Sequence, residues 1–318
     1  MTLPSYENLP IRPDLPPRSA WGVWGDDDQL GTINLLTAER AQRAVGLVER
    51  GATFALNWEM EQPTPAFYGR QELRHSIRTM LPGIFDDSID NLFTQSSSQW
   101  DALCHIGHPE HGFWNGTTAE QITGEPGTRN GIEHWAQKGL VGRGVLLDIA
   151  RHWSETGRAI DGGTTVEFTP ADLEEVREAQ GVTFEDGDIL LLRTGWMDWY
   201  ENASESTKSG LAEDSLARLT TPGLIGGEAM AEWLWNHHFA AVAADNPALE
   251  AWPHRIEVDQ YLHFRVIPLL GIALGEMWYL EELAEDCSAD KRYEFLLTSA
   301  PLNLRGGVGS PPNALAIK

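Results

Sequence analysis

The chain has 318 residues, 42% of them hydrophobic, enough to bury a sizeable core and too many for disorder over most of its length. Its formal net charge of −24 repels phosphate backbones and anionic lipid surfaces. Nucleic acid and membrane are therefore excluded as expected partners, and a small-molecule substrate is left. Lysine occurs only at Lys138, Lys208, Lys291 and Lys318, so no polybasic patch can be assembled. Two cysteines, Cys104 and Cys287, cannot build a disulfide framework, and they fit a reducing compartment. The opening stretch MTLPSYENLPIRPDLPPRSAWG lacks the apolar segment of a secretory signal, and no apolar run approaches the ~18 residues of a membrane span. The expected location is cytoplasmic.

Residues 1–20 read as an extended arm, because their prolines do not support a helix. Such an arm either packs on a neighbouring subunit or frays in solvent. Residues 21–318 read as one domain. LTAERAQRAVGLVERG predicts a helix capped by Thr37 and ended by Gly51, with Ala41, Ala44, Val45 and Val48 on one face. GRGVLLDIARH predicts a buried strand over 145–149. TPADLEEVREAQG predicts a helix with Thr169 as its cap, Pro170 in first position and Gly181 as its stop. GDILLLRTGW predicts a strand over 189–192, and GGEAMAEWLWNHH a helix leading into the apolar strand FAAVAA. LHFRVIPLLGIALGEMWYLEELAEDC reads as a helix, a short strand and a helical turn. The tail reads as two strands joined by a glycine-rich connection. Helices and buried strands alternate from about residue 140, the pattern of an α/β fold.

One stretch carries most of the titratable chemistry: SSSQWDALCHIGHPEH, residues 96–111. Asp101 and His105, four apart, present an oxygen and an imidazole nitrogen that suit zinc or manganese, or else form a plain Asp–His hydrogen bond. His108 and His111, in a Gly-Pro loop, are expected to face solvent. Cys104 is expected to be a small buried thiol and not a nucleophile. His263 and Glu276 bracket the apolar FRVIPLLGIALG, where a buried charge requires a counterpart. Asp245 follows FAAVAA at a strand C-terminus, where open α/β sheets present functional groups, although Asn-Pro there also describes a turn. Trp100 and other tryptophans flank the polar candidates, consistent with a ring-bearing substrate or with core. The glycines of GLVGRGVLLD precede the strand and do not follow one, so no dinucleotide fingerprint is present.

These segments, from WGVWGDDDQLGTINLLT through VGRGVLLD, GDILLLRTGW and FAAVAADNPALEAW to LGEMWYLEEL and GGVGSPPNALAI, resemble the cyclase-like metal-dependent hydrolase family. That family includes bacterial kynurenine formamidase and isatin hydrolase. The resemblance implies a swivelling β/β/α fold and a metal-bearing hydrolytic pocket. The family's His-x-Gly-Thr-His-x-Asp-x-Pro-x-His motif falls on Gln95 to His105. Asp101 and His105 are kept, while Gln95 and Gln99 replace the two leading histidines. The family's later histidine and glutamate fall on His263 and Glu276. The resemblance implies one divalent ion per subunit, zinc or manganese, held by Asp101, His263 and Glu276 with Gln99 as a weak ligand.

His105 is then expected to be the proton carrier, with Trp100 and Asp245 contacting substrate. The implied reaction is hydrolysis of a small cyclic or aryl amide, lactam or lactone by a metal-activated water. A lyase, dehydratase or cyclase using an Asp101–His105 acid–base pair, and a silent ligand-binding homologue, are the alternatives. A homodimer or homotetramer is expected.

Overall fold

Uninterrupted aliphatic runs at 145–147, 189–192 and 241–244 have no polar face to offer water, and each is fully buried within a strand. The computed structural model describes residues 3–254 and 257–318. In chain order its strands are β1 (Thr53–Ala55), β2 (Arg74–Leu81), β3 (Ile84–Asp90), β4 (Gln99–Asp101), β5 (Leu140–Asp148), β6 (Val166–Phe168) and β7 (Ile189–Arg193). They continue with β8 (Pro222–Leu224), β9 (Ala241–Ala244), β10 (Ala273–Glu276), β11 (Glu294–Ser299), β12 (Gly309–Ser310) and β13 (Ala314–Ile317). Nine of them form one sheet in the spatial order β1-β13-β11-β5-β7-β9-β10-β4-β12. Its middle, β5-β7-β9-β10, is parallel, and the flanking neighbours pair antiparallel.

The fold is mixed α/β, as the alternation of helices and strands predicts. Thr169 caps the helix Pro170–Gln180, and Gly181 ends it in a left-handed conformation at φ 71°. Thr37 caps the first helix as predicted, but that helix stops at Val45, well before Gly51. Val45 and Val48 therefore do not form a buried face; of the predicted stripe only Ala44 is buried. The strand expected at 145–149 begins earlier, at Leu140, so Gly142 and Gly144 lie inside it. A Cβ on Gly144 would stand 2.2 Å from the Phe295 ring. That glycine serves sheet packing, and no nucleotide fingerprint is involved. The expected turn after Glu276 is a full helix, Glu281–Asp290.

The proline-rich start packs on its own chain. Leu3, Tyr6 and Leu9 are buried, the Trp235 indole N–H donates to the Pro4 carbonyl at 2.9 Å, and Tyr6 N–H donates to Asn236 at 2.8 Å. Its first two residues lie outside the described part. Residues 74–90, where no element was expected, form the hairpin β2–β3, exposed along both strands. Among the described residues no helix is long and apolar enough to cross a membrane.

Candidate functional site

The site is built where two antiparallel neighbours of the sheet meet. β4 pairs with β10 so that Gln99 stands opposite Glu276 and Asp101 opposite Leu274. Side chains alternate across a strand, so Gln99 and Asp101 share one face while Trp100 points to the other. Trp100 goes fully into the core, 4.7 Å between ring centroids from Trp278, with its N–H on Ser299 Oγ at 2.9 Å. The structure thus moves Trp100 from an expected substrate contact to a core anchor of β4.

On the opposite face, Asp101, His263 and Glu276 are all buried, and one ligand atom of each lies within 4.8 Å of the others. His263 opens the short helix His263–Val266. Its Nδ1 is held by Glu250 Oε2 at 2.5 Å, and its Nε2 lies 3.2 Å from Glu276 Oε1. Glu250 also accepts the backbone N–H of Leu262 at 2.7 Å. This is the arrangement by which a second carboxylate fixes the ring orientation of a ligating histidine. Gly226 permits it by close approach: a Cβ there would stand 1.9 Å from the Gln260 carbonyl oxygen.

Two non-glycine residues adopt left-handed backbone next to these carboxylates, Leu249 at φ 54° and Met277 at φ 53°. Such residues cost on the order of 1 kcal/mol or more, and they persist where the surroundings over-determine them. Met277 is pinned at both ends: its N–H donates to Asn246 at 3.0 Å, and its carbonyl accepts from Ser98 Oγ at 2.5 Å. The chain is bent sharply at the point where Glu276 enters the site.

Electrostatics follow from burial. Burial works against a charge on His263, but the hydrogen bonds and charges of Glu250 and Glu276 outweigh it and push its pKa up to about 10. Burial, with the Asp101 charge, raises Glu276 to about 7. Gln99 Nε2 donates to Glu276 Oε2 at 2.7 Å and to Asp101 Oδ1 at 3.2 Å. Within this cluster two buried acceptors find no partner among the described residues, Asp101 Oδ2 and Gln99 Oε1. A buried oxygen without a donor is costly. Two carboxylates and an imidazole converging beside an orphaned carboxylate oxygen are a donor set that fits a divalent cation of the zinc or manganese kind.

His105 stands apart from this cluster. Its Nε2 is 3.7 Å from Asp101 Oδ1, its Nδ1 is 3.3 Å from Gln95 Nε2, and its side chain is 27% exposed. It lines the mouth of a cavity of about 220 Å³ together with Gln99, Glu276, His263 and an aromatic wall of Tyr68, Trp252, His254 and Tyr261. Tyr261 stacks on His263 at 4.9 Å and on His254 at 4.4 Å. Burial, together with nearby carboxylates, drives the ionisation of Tyr68 and Tyr261 far upward, so both keep their hydroxyl protons. A larger cleft of about 460 Å³ between Trp58, Tyr200 and Tyr279 contains none of the three converging ligand groups.

Asp245 is not on the cavity wall. Its carboxylate accepts Thr194 N–H at 2.7 Å, Thr194 Oγ at 2.6 Å and Gly195 N–H at 2.9 Å, which ties β9 to the start of the helix Trp196–Asn202. Its expected substrate contact gives way to this structural one. Cys104 is buried, and burial pushes its thiol up to about 12. His108, expected to face solvent, is buried against His111 in a 4.6 Å ring stack. Sequence reasoning missed Glu250, Tyr68 and Tyr261. Glu250 sits in DNPALE, where it reads as part of a polar stop, and no periodic pattern links it to His263.

Comparison with known proteins agrees with this architecture. A family model described as "putative cyclase" matches residues 48–251. A solved structure described as a novel cyclase is 34% identical, covers 94% of this chain and 97% of its own, and superposes with a TM-score of 0.83. The chain belongs to this cyclase family. Isatin hydrolase A from Labrenzia aggregata, bound to benzyl benzoate, is 17% identical with a TM-score of 0.60, covering 86% of this chain and 94% of its own. Isatin hydrolase A from Ralstonia solanacearum is 18% identical with a TM-score of 0.57, covering 88% and 96% respectively. These two share the fold. No curated protein matches the chain.

Proposed function

We propose that the protein is a metal-dependent hydrolase that opens a small cyclic or aryl amide, lactam or lactone. The observation that carries this reading is the buried convergence of Asp101, His263 and Glu276 beside the partnerless Asp101 Oδ2. Asp101, His263 and Glu276 would hold one divalent ion, zinc or manganese, with Gln99 as a weak neutral ligand. When bound, the ion supplies Lewis acidity that lowers the pKa of a water toward ~7 and polarises a carbonyl.

The remaining work belongs to side chains. Tyr68, Tyr261 and Trp252 bind a flat ring, the kind of substrate that the name isatin hydrolase implies for the fold relatives. Glu250 fixes the direction of the His263 ring through Nδ1, leaving Nε2 turned toward Glu276. His105 at the mouth carries a proton between the reacting centre and solvent. Its position outside the ligand cluster leaves it free for that task.

One contact favours a second reading. The Gln99 amide donates to both carboxylates and holds Asp101 in place, which suits a lyase or cyclase using an Asp101–His105 acid–base pair. Elemental analysis, followed by an amide, lactam, lactone and ester screen with and without chelator, separates the two. Hydrolysis with one ion per chain, lost on chelation, supports the first. Turnover indifferent to chelator sinks it.

A further inference from the structure

Arg70 sits on a turn that delivers it to the wall of the candidate site. Its N–H closes the turn on the carbonyl of buried Phe67 at 3.2 Å. Both residues between them are left-handed, Tyr68 at φ 60° and Gly69 at φ 68°. For Tyr68 that backbone is costly, and its N–H is held on Ser215 Oγ at 3.1 Å. Tyr68 and Arg70 thereby both line the cavity of His105, His263 and Glu276, and among the described residues lining it Arg70 is the only lysine or arginine. Its guanidinium is fixed yet unpaired. Nη1 donates to the Gln95 carbonyl at 2.5 Å, and the guanidinium carbon stands 5.0 Å from the Tyr68 ring centroid. The amide of the same Gln95 lies 3.3 Å from His105 Nδ1, so one residue places Arg70 beside the group at the mouth. No carboxylate among the described residues is in ion-pair contact with Arg70, and Nε and Nη2 donate to none of them. Glu276 feels the Arg70 charge but is engaged elsewhere, through Oε1 with His263 and through Oε2 with Gln99. A planar fork stacked on a ring and anchored at one corner can receive a carboxylate along its free edge.

We infer that Arg70 sets the specificity of this cavity, and that the substrate is a ring-bearing acid: a cyclic or aryl amide, lactam or lactone that carries a carboxylate of its own. The inference rests on the hydrolytic reading of the same cavity. The ring lies against Tyr68, Trp252 and Tyr261, and the scissile carbonyl faces the end that holds Asp101 and Glu276. The substrate's carboxylate meets Nε and Nη2 of Arg70 beside His105. The charge of the rest of the chain gives this residue its importance. A molecule at −24 repels an anionic substrate, and one unpaired cation on the cavity wall reverses that locally.

Calorimetric titration of the full chain with benzoate and with its neutral counterpart benzamide tests this. It is run after chelation, so that a bound ion cannot hold the carboxylate. Wild-type protein should bind benzoate at least about tenfold more tightly than benzamide, the scale of a charge-assisted hydrogen bond. Added salt should weaken benzoate binding and leave benzamide unaffected, a check that needs no variant. Arg70→Gln should lose the preference while keeping its far-UV circular dichroism, since Arg70 lies outside the core. A wild type without the preference, undetectable benzoate binding, or a preference that survives Arg70→Gln overturns the inference. The two readings of the cavity also fail separately. Hydrolysis of neutral ring amides or lactones as fast as of their carboxylate-bearing counterparts keeps the hydrolase and overturns the role of Arg70. Benzoate binding that depends on Arg70, in a protein that hydrolyses none of the compounds screened, upholds the carboxylate site and sinks hydrolysis.

Discussion

His263 and His105 lie on the same cavity wall and are held in opposite ways. His263 is buried, clamped at Nδ1 by Glu250 and facing Glu276 through Nε2. His105 is partly exposed, with a long 3.3 Å contact to Gln95 and no hydrogen bond to Asp101 across 3.7 Å. An imidazole held at both nitrogens is suited to ligation, because its direction is set before any ion arrives. One with a free edge toward solvent is suited to moving protons. The contrast assigns two chemistries to one residue type, and substitutions can break or sharpen it.

The largest effect is expected at the carboxylate between them. Asp101→Asn keeps the side-chain size and removes the charge, so metal content by elemental analysis and turnover should both fall to background. Full occupancy in that variant would place the ion elsewhere. Next in size, His105→Ala should lower turnover by roughly 10²–10⁴, the usual contribution of a general acid–base group, with metal content unchanged. If metal and activity vanish together, His105 is a ligand and the contrast collapses. Glu250→Gln should weaken metal affinity by roughly 10–100-fold in a competition titration, the range for losing an outer carboxylate behind a ligating histidine. An unchanged affinity would show that the Glu250–His263 contact is dispensable.

A smaller effect is expected in stability against pH for metal-stripped protein. His263 is raised from 6.5 to about 10 and Glu276 from 4.5 to about 7. Both fold with their protons held more tightly than in the unfolded chain. The stability from Glu276 is complete below about pH 4.5 and lost as pH rises through 7. That from His263 is complete below about pH 6.5 and lost as pH rises through 10. Thermal melts of chelator-treated protein should therefore fall steadily from pH 5 to 10, more steeply than those of metal-loaded protein. Parallel curves would mean that these groups do not share a proton network with the ion site.

The sequence exposed the parts of the molecule whose pattern is local. Buried strands such as Ile189–Arg193 announce themselves by four consecutive apolar residues, and Pro170–Gln180 by its cap, proline and terminal glycine. Asp101, His263 and Glu276 could be named in advance because the chain resembles a family with a known motif; their convergence could not be read from spacing. Glu250 was illegible, since it reaches the site just after a left-handed turn at Leu249 and beside the close approach at Gly226. Trp100 and Asp245 were misjudged for a related reason. Proximity in sequence to a functional residue says nothing about which face of a strand a neighbour takes. The hairpin was invisible for a third reason: its apolar residues are irregularly spaced around a bulge between Thr79 and Leu81.

β4 is only three residues long, yet it sits between β10 and β12 with Gln99 and Asp101 on one side and Trp100 on the other. A shift of one position would drive the indole into the cavity and the carboxylate into the core, so no intermediate alignment is viable. Point substitutions at 95, 99 or 105 can rewrite the chemistry while Trp100 keeps the strand locked in place. Insertions or deletions in the segment 91–98 cannot. For an engineer grafting a new specificity onto this scaffold, the letters of the site are free to change, but the spacing between them is not.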